Sequence, residues 1–230
     1  MKTNQDYKNE ALAALRGNWA PAVLAMVIFM LIEVICYSPS VYSSFSFREA
    51  IAGINPGDIS GLMDAYQKMS GMGSLSTLAS VFLLFPLLVG FLNAFRFLLV
   101  RGDNRLTENM FSVAFKNYLH NLWGYLLVYI FTLLWTLLFI LPGIVKAFSY
   151  AMTPYILEEN PELSANDAID RSRAMMKGHK FDLFYLYLSF IGWAILCILT
   201  LGIGFFWLGP YVYTAKAAFY EDVKSQYDGF

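Results

Sequence analysis

An all-α fold is predicted: a six-span transmembrane helical bundle made of three hairpins, each preceded by an amphipathic interfacial helix. Three observations predict it. Long uncharged runs recur along a chain of 230 residues that is 58% hydrophobic and 14% charged, about half the charge of a typical soluble domain. Lys and Arg fall in alternate connections between those runs, the asymmetry that orients helices in a bilayer. A sequence unit also recurs with an offset of 63 residues.

The first element, Thr3–Arg16, has Thr3 and Asp6 as caps and Gly17 as its stop. Such residues satisfy free N–H groups at a helix start and permit a left-handed turn at its end. Trp19–Tyr37 is the first span, with an indole at its entry that suits the interface. Ser38–Ser74 follows as an outer loop containing the turn signal Asn55-Pro56-Gly57-Asp58. Beyond that turn, Ile59, Leu62, Met63, Tyr66 and Met69 recur at helical spacing, with Asp58 as a cap. They predict a short helix on the outer face, for which a plain connector and a lid over a substrate site are both open.

Leu75–Leu99 is the second span; Pro86 and Gly90 mark a kink, and Arg96 lies near the inner end, within snorkelling reach of the interface. Thr107–Tyr118 is another surface helix. Leu122–Leu141 carries twenty residues without a charge, the length needed to cross about 30 Å of hydrocarbon. Pro142-Gly143 then reverses the chain into Ile144–Leu157, interrupted only by Lys146 and Pro154. Ser164–Lys177 is the clearest polar helix, with a capping box at Ser164 and Asp167 and a stop at Gly178. Its narrow apolar stripe is Ala165, Ile169, Ser172 and Met176. Leu183–Leu201, a turn at Gly202–Gly204, and Phe205–Tyr220 with Pro210 and Lys216 complete the chain.

Hydropathy alone leaves four spans or six, because Ile144–Leu157 and Phe205–Tyr220 are short. Charge decides for six: only Arg48, Lys68 and Lys146 of the sixteen Lys and Arg then lie outside, and both termini lie inside. The repeat gives the same count. Tyr150–Glu159 falls on Tyr213–Asp222, each beginning with Tyr and ending in an acidic pair. One membrane domain with units of about 1–104, 105–160 and 161–224 follows.

Chemistry is harder to find. No zinc motif, phosphate loop or dinucleotide fingerprint occurs, and His120 and His179 lack companion ligands. The expectation is therefore a protein that is not an enzyme and uses no metal or cofactor. A net charge of −1 gives no field for nucleic acid. Cys36 and Cys197 read as small apolar side chains, with a disulfide between them as the alternative. Arg171, Arg173, Lys177 and Lys180 form a cytoplasmic basic segment, which either fixes topology or contacts anionic lipid or a membrane-protein partner. Glu33 and Lys146 share the outer level; each can snorkel to the interface, and an intramembrane ion pair between them is the alternative. The first apolar run reads as a retained anchor, since no small-residue cleavage site follows it.

The segment LPGIVKAFSYAMTPYILEENPELSANDAIDRSRAMMKGHKFDLF, Leu141–Phe184, resembles a bacterial membrane family catalogued as domain of unknown function 975. Leu188–Val223 is similar to that family's ending, and ALAALRGNWAPAV to its start. A looser similarity, a proline-glycine turn followed by an acidic end and a basic helix, exists with the membrane portion of some glycerophosphodiester phosphodiesterases, whose catalytic domain has no counterpart here. The resemblance implies a multi-pass protein of the bacterial cytoplasmic membrane and transfers no functional residue. The expected role is non-enzymatic engagement of lipid or a membrane partner, with a small permease or exporter as the alternative.

Overall fold

The computed structural model describes residues 1–55 and 58–227, apart from the side chains of residues 72, 75 and 79. All regular structure among the described residues is helical. Five helical segments are long and apolar enough to cross a membrane: Trp19–Ala52, Ile59–Arg101, Tyr118–Leu138, Ile140–Glu159 and Lys180–Leu199. The chain divides into two compact units, Met1–Ile28 with Phe85–Phe230, and Phe29–Leu84.

Helix α1, Asn4–Leu15, starts with a full capping box in which Thr3 and Asp6 serve each other's backbone N–H. It stops before Gly17, whose φ of +81° only glycine adopts without strain. Tyr7, Ala11 and Leu15, at helical spacing, are fully buried. Their partner is the end of α11, Phe205–Ser225, where Tyr7 meets the Phe219 ring edge-on at 5.5 Å.

Helix α2, Trp19–Ala52, and helix α3, Ile59–Arg101, correct the expected outer loop. Nearly all of 38–74 is helical, and α3 has 43 residues where about 20 span a bilayer. The serines of this segment satisfy themselves inside the helix: the Ser38, Ser40, Ser43 and Ser44 hydroxyls donate to carbonyls three or four residues back. Asp58 does cap α3, accepting from the Gly61 N–H at 3.0 Å. Pro56 and Gly57 of the expected turn lie outside the described residues. In the Phe29–Leu84 unit the two helices are tied by the Ser76 hydroxyl, which donates to the Cys36 carbonyl at 2.8 Å. Both cysteines are free thiols.

Helix α4, Leu106–Lys116, crosses α3 where Gly90 leaves no room for a side chain: a Cβ there would sit 2.0 Å from the Met110 carbonyl. Helix α3 continues through both Pro86 and Gly90. Helices α5, Tyr118–Leu138, and α6, Ile140–Ser149, form a hairpin that reverses at Phe139 rather than at Pro142-Gly143. Pro142 stands instead in the first turn of α6, where no intrahelical donor is lost. Gly143 is needed for close approach, its absent Cβ lying 2.2 Å from Thr136 Oγ1. The return continues as α7, Thr153–Glu159, and still tracks α5, with Leu157 filling the space over Gly124.

Helix α8, Ala165–Met175, is capped by Ser164, which accepts from the Asp167 N–H; the chain turns away at Gly178, φ +91°. The last predicted long span is broken into α9, Lys180–Leu188, and α10, Ile191–Leu199. The reversal at Thr200–Gly204 stands where the glycines placed it, with Gly202 at φ +88°. Helix α11 then returns antiparallel to α10: contacts move from Cys197 and Gly204 beside the turn to Phe190 and Tyr211, 4.9 Å apart, further from it.

Candidate functional site

The ends of α3, α7 and α11 meet at Arg96. Its side chain is only 7% exposed, and its five N–H donors are spread over three carboxylates. Nε donates to Glu221 at 2.5 Å and Nη1 to Glu158 at 3.3 Å, while Nη2 holds Glu159. Glu159 is shared further: Lys224 Nζ and the Tyr220 hydroxyl each donate to it at 2.5 Å. The Tyr220 ring stacks on buried Tyr155 at 4.7 Å and receives the guanidinium on its face at 5.4 Å. Buried charge is tolerable only when each ion is paired and hydrogen-bonded, and this cluster meets that condition. The expectation that Arg96 snorkels outward is thereby corrected. A planar fork with many donors finds better partners among the three acids than in water.

One turn deeper, Asn93 is fully buried and donates to the Val89 and Pro154 carbonyls, binding α3 to α7 beside the proline. At the periphery the N-terminus joins the assembly. The Tyr7 hydroxyl donates to Asp222 at 2.6 Å, and the Lys2 backbone N–H donates to the same oxygen at 3.0 Å. Burial raises the Asp222 carboxyl, but the Tyr7 and Lys2 donors outweigh it and hold the group below the usual carboxylate range. Lys8 Nζ donates to the Ser189 carbonyl at 2.7 Å, at the break between α9 and α10, and lies 4.5 Å from the Phe190 ring centroid. Burial pushes the Lys8 ammonium down from its ordinary value.

Sequence reasoning missed this node, although its parts were visible. The acidic pairs that close the two repeat copies, Glu158-Glu159 and Glu221-Asp222, supply four of its carboxylates. The missing signal was the need for a cation at the same level, and Arg96 was the charged residue nearest an inner span end.

The basic segment lies elsewhere on the same unit. On α8, Ala165, Ile169 and Ser172 are buried, as is Met176 just past its end, so the predicted stripe faces protein. The opposite side carries Arg173, paired with Asp170 at 3.1 Å, and exposed Lys177 beyond the helix end. Arg171 Nη1 donates to the Asn160 side chain at 3.1 Å. Among the described residues no carboxylate lies within ion-pair distance of Lys177 or Lys180.

Glu33 belongs to the Phe29–Leu84 unit and Lys146 to the other. Lys146 Nζ lies 4.4 Å from the Trp135 ring centroid, across the α5–α6 hairpin. Glu33 lies on one face of α2 with Met30, Val34, Tyr37, Val41, Tyr42 and Phe45, most of them exposed. Pro86 and Gly90 are buried in α3, Gly90 serving the close crossing with α4.

A family model described as "Protein of unknown function (DUF975)" matches residues 1–149 and 141–227. No curated protein and no solved structure matches the chain, so the similarity to glycerophosphodiester phosphodiesterases is not shown.

Proposed function

The chain belongs to the DUF975 family, and from that premise we propose a multi-pass protein of the bacterial cytoplasmic membrane that performs no catalysis and holds anionic lipid headgroups on its basic segment. The observation that carries this reading is the division of α8 into a buried face and a charged one. Packing against protein fixes the helix, so Arg173 and Lys177 are presented outward without the cost of ordering the backbone that carries them. Among the described residues Lys177 and Lys180 have no carboxylate within ion-pair distance, which leaves their charge for a phosphate.

We read α11 as a sixth span and both termini as cytoplasmic. Supporting this, α11 runs antiparallel to α10 and its end meets those of α3 and α7 at Arg96. A cysteine at Arg173 should then react with an impermeant maleimide only from the cytoplasmic side.

Native mass spectrometry tests the lipid reading. The purified chain should retain phosphatidylglycerol in preference to phosphatidylcholine. A basic residue near an anionic surface contributes about 1 kcal/mol, so Arg173→Gln with Lys177→Gln should weaken retention roughly 30-fold. Equal retention by the double variant refutes the reading. A second reading, a small permease or exporter, draws on Glu33, a carboxylate on a helix long and apolar enough to span a membrane.

A further inference from the structure

We propose that the crevice around Lys216 binds a monovalent carboxylate carried on an apolar body, at a site separate from the basic segment. Lys216 stands on α11 just over one turn before Glu221, about 7 Å deeper among the helices than the Arg96 node. Its ammonium lies 5.7 Å from the Tyr155 ring centroid. Among the described residues no carboxylate is within ion-pair distance of it: Glu158, Glu159 and Glu221 are taken by Arg96 and Lys224. An ammonium drawn out to the interface would share those acids; this one turns to an aromatic ring instead. The surroundings come from four helices of the larger unit. The Tyr213 phenol lies within electrostatic reach of the phenols of Tyr125, Tyr155 and Tyr187, so α5, α7, α9 and α11 each bring a hydroxyl-bearing ring to one region. Tyr155 is fully buried, and its hydroxyl has no hydrogen-bond partner among the described residues. Protein surrounds Tyr125, Tyr187 and Lys216, yet each keeps part of its surface open. Deep placement with open surface is the mark of a crevice walled on several sides.

These groups select the ligand. A cation inside the helices and a buried free hydroxyl are both costly until an acceptor reaches them. One unpaired ammonium matches one negative charge, and a carboxylate has two oxygens for an ammonium and a phenol to share. Rings around the charge suit an apolar or aromatic body. Chloride or inorganic phosphate would instead surrender most of its hydration for few donors. A fatty acid from the bilayer and a soluble aromatic acid both carry this chemistry.

The test uses the full chain in phosphatidylcholine nanodiscs, with radiolabelled 1-naphthoate as probe and empty nanodiscs as blank. Saturable binding is expected, displaced by unlabelled naphthoate and not by 1-naphthylmethylammonium, its cationic counterpart. Lys216→Met should weaken binding at least about 30-fold, while Lys216→Arg retains most of it. Tyr155→Phe removes one unpartnered oxygen and keeps the ring stacked on Tyr220. It should weaken binding about tenfold with Tm unchanged, which keeps the test decisive where Lys216→Met fails to fold. Competition by oleate marks a ligand drawn from the bilayer, and competition by benzoate alone marks a soluble one; either keeps the site. Absence of saturable binding, or equal binding by Tyr155→Phe, overturns the proposal. So does a loss in the Arg173→Gln, Lys177→Gln double variant as large as that in Lys216→Met, which would move the anion to the basic segment.

Discussion

Replacing Arg96 by Gln removes the cation from the centre of the α3–α7–α11 node and leaves Glu158, Glu159 and Glu221 facing one another. Breaking a buried ion pair by deleting one partner costs about 3–5 kcal/mol. Arg96 is 7% exposed, but its three partners range from 14% to 28%, so water screens part of the repulsion and the lower figure of about 3 kcal/mol applies. That is roughly a 150-fold loss in the folded-to-unfolded ratio. For a chain of this size it corresponds to a fall of about 6–12 °C in Tm. Fluorescence-detected size exclusion after stepped heating in mild detergent reads this directly. The double variant Arg96→Gln with Glu221→Gln should recover part of the loss, since it relieves the like-charge contact the single variant creates. Arg96→Lys should fall between wild type and Gln, because a point ammonium cannot serve three carboxylates at once. A Tm within about 1 °C of wild type for Arg96→Gln would refute the node as a source of stability, as would a double variant less stable than the single.

Three further outcomes are expected. Gly90→Ala forces α3 and α4 apart, since the new Cβ would lie 2.0 Å from a backbone oxygen that cannot rotate away; overpacking of that kind costs about 1–3 kcal/mol. Gly192→Ala, with nothing within 4 Å, should be neutral or gain a few tenths of a kcal/mol, and thermal size exclusion of both variants checks the contrast. The Asp222 carboxyl is depressed in the folded chain. Its contribution is therefore complete above the ordinary carboxylate value of about 3.9 and is lost as pH falls below it, which hydrogen exchange of α1 between pH 6 and 3 should show as faster opening. Asp222→Asn should flatten that dependence. Finally, lipid held on the basic segment should be stripped by salt: with a Debye length of about 10 Å at 0.1 M and 3 Å at 1 M, phosphatidylglycerol retention should fall steeply between those concentrations. Unchanged retention would instead indicate an apolar acyl-chain site.

The sequence carried local chemistry well and long-range meetings poorly. Capping at Thr3, Asp58 and Ser164 was legible because a cap acts within four residues of itself. The stop at Gly17 and the turn at Gly202 were legible for the same reason: a positive φ is a property of one residue. The Phe139 reversal was misplaced by a few residues because Pro142 reads equally well as a turn residue and as a first-turn helix residue. Ser38–Ser74 was misjudged as loop because spans were bounded at the length that crosses a bilayer, whereas helices α2 and α3 run on past that length. The Ser38 and Ser44 hydroxyls bond back to helical carbonyls there. Arg96 was read as a lone charge, since its partners lie 62, 63 and 125 residues away.

Two opposite uses of charge separate the interior from the surface of the larger unit. At Arg96 every ion is consumed by another, and the aromatic rings of Tyr155 and Tyr220 close over the pairs. The physical effect of such a cluster is to fix where three helix ends meet. On α8 and just beyond it the arrangement is inverted: the apolar face is occupied by protein and the cations point away from it. A helix in that position cannot insert its stripe into lipid without leaving the protein, so any membrane contact it makes must be electrostatic rather than hydrophobic. The lipid reading therefore follows from where the apolar residues are used as much as from where the basic ones stand. It also implies that the Arg96 node and the basic segment fail independently: neutralising Lys177 should leave Tm intact, while Arg96→Gln should lower it.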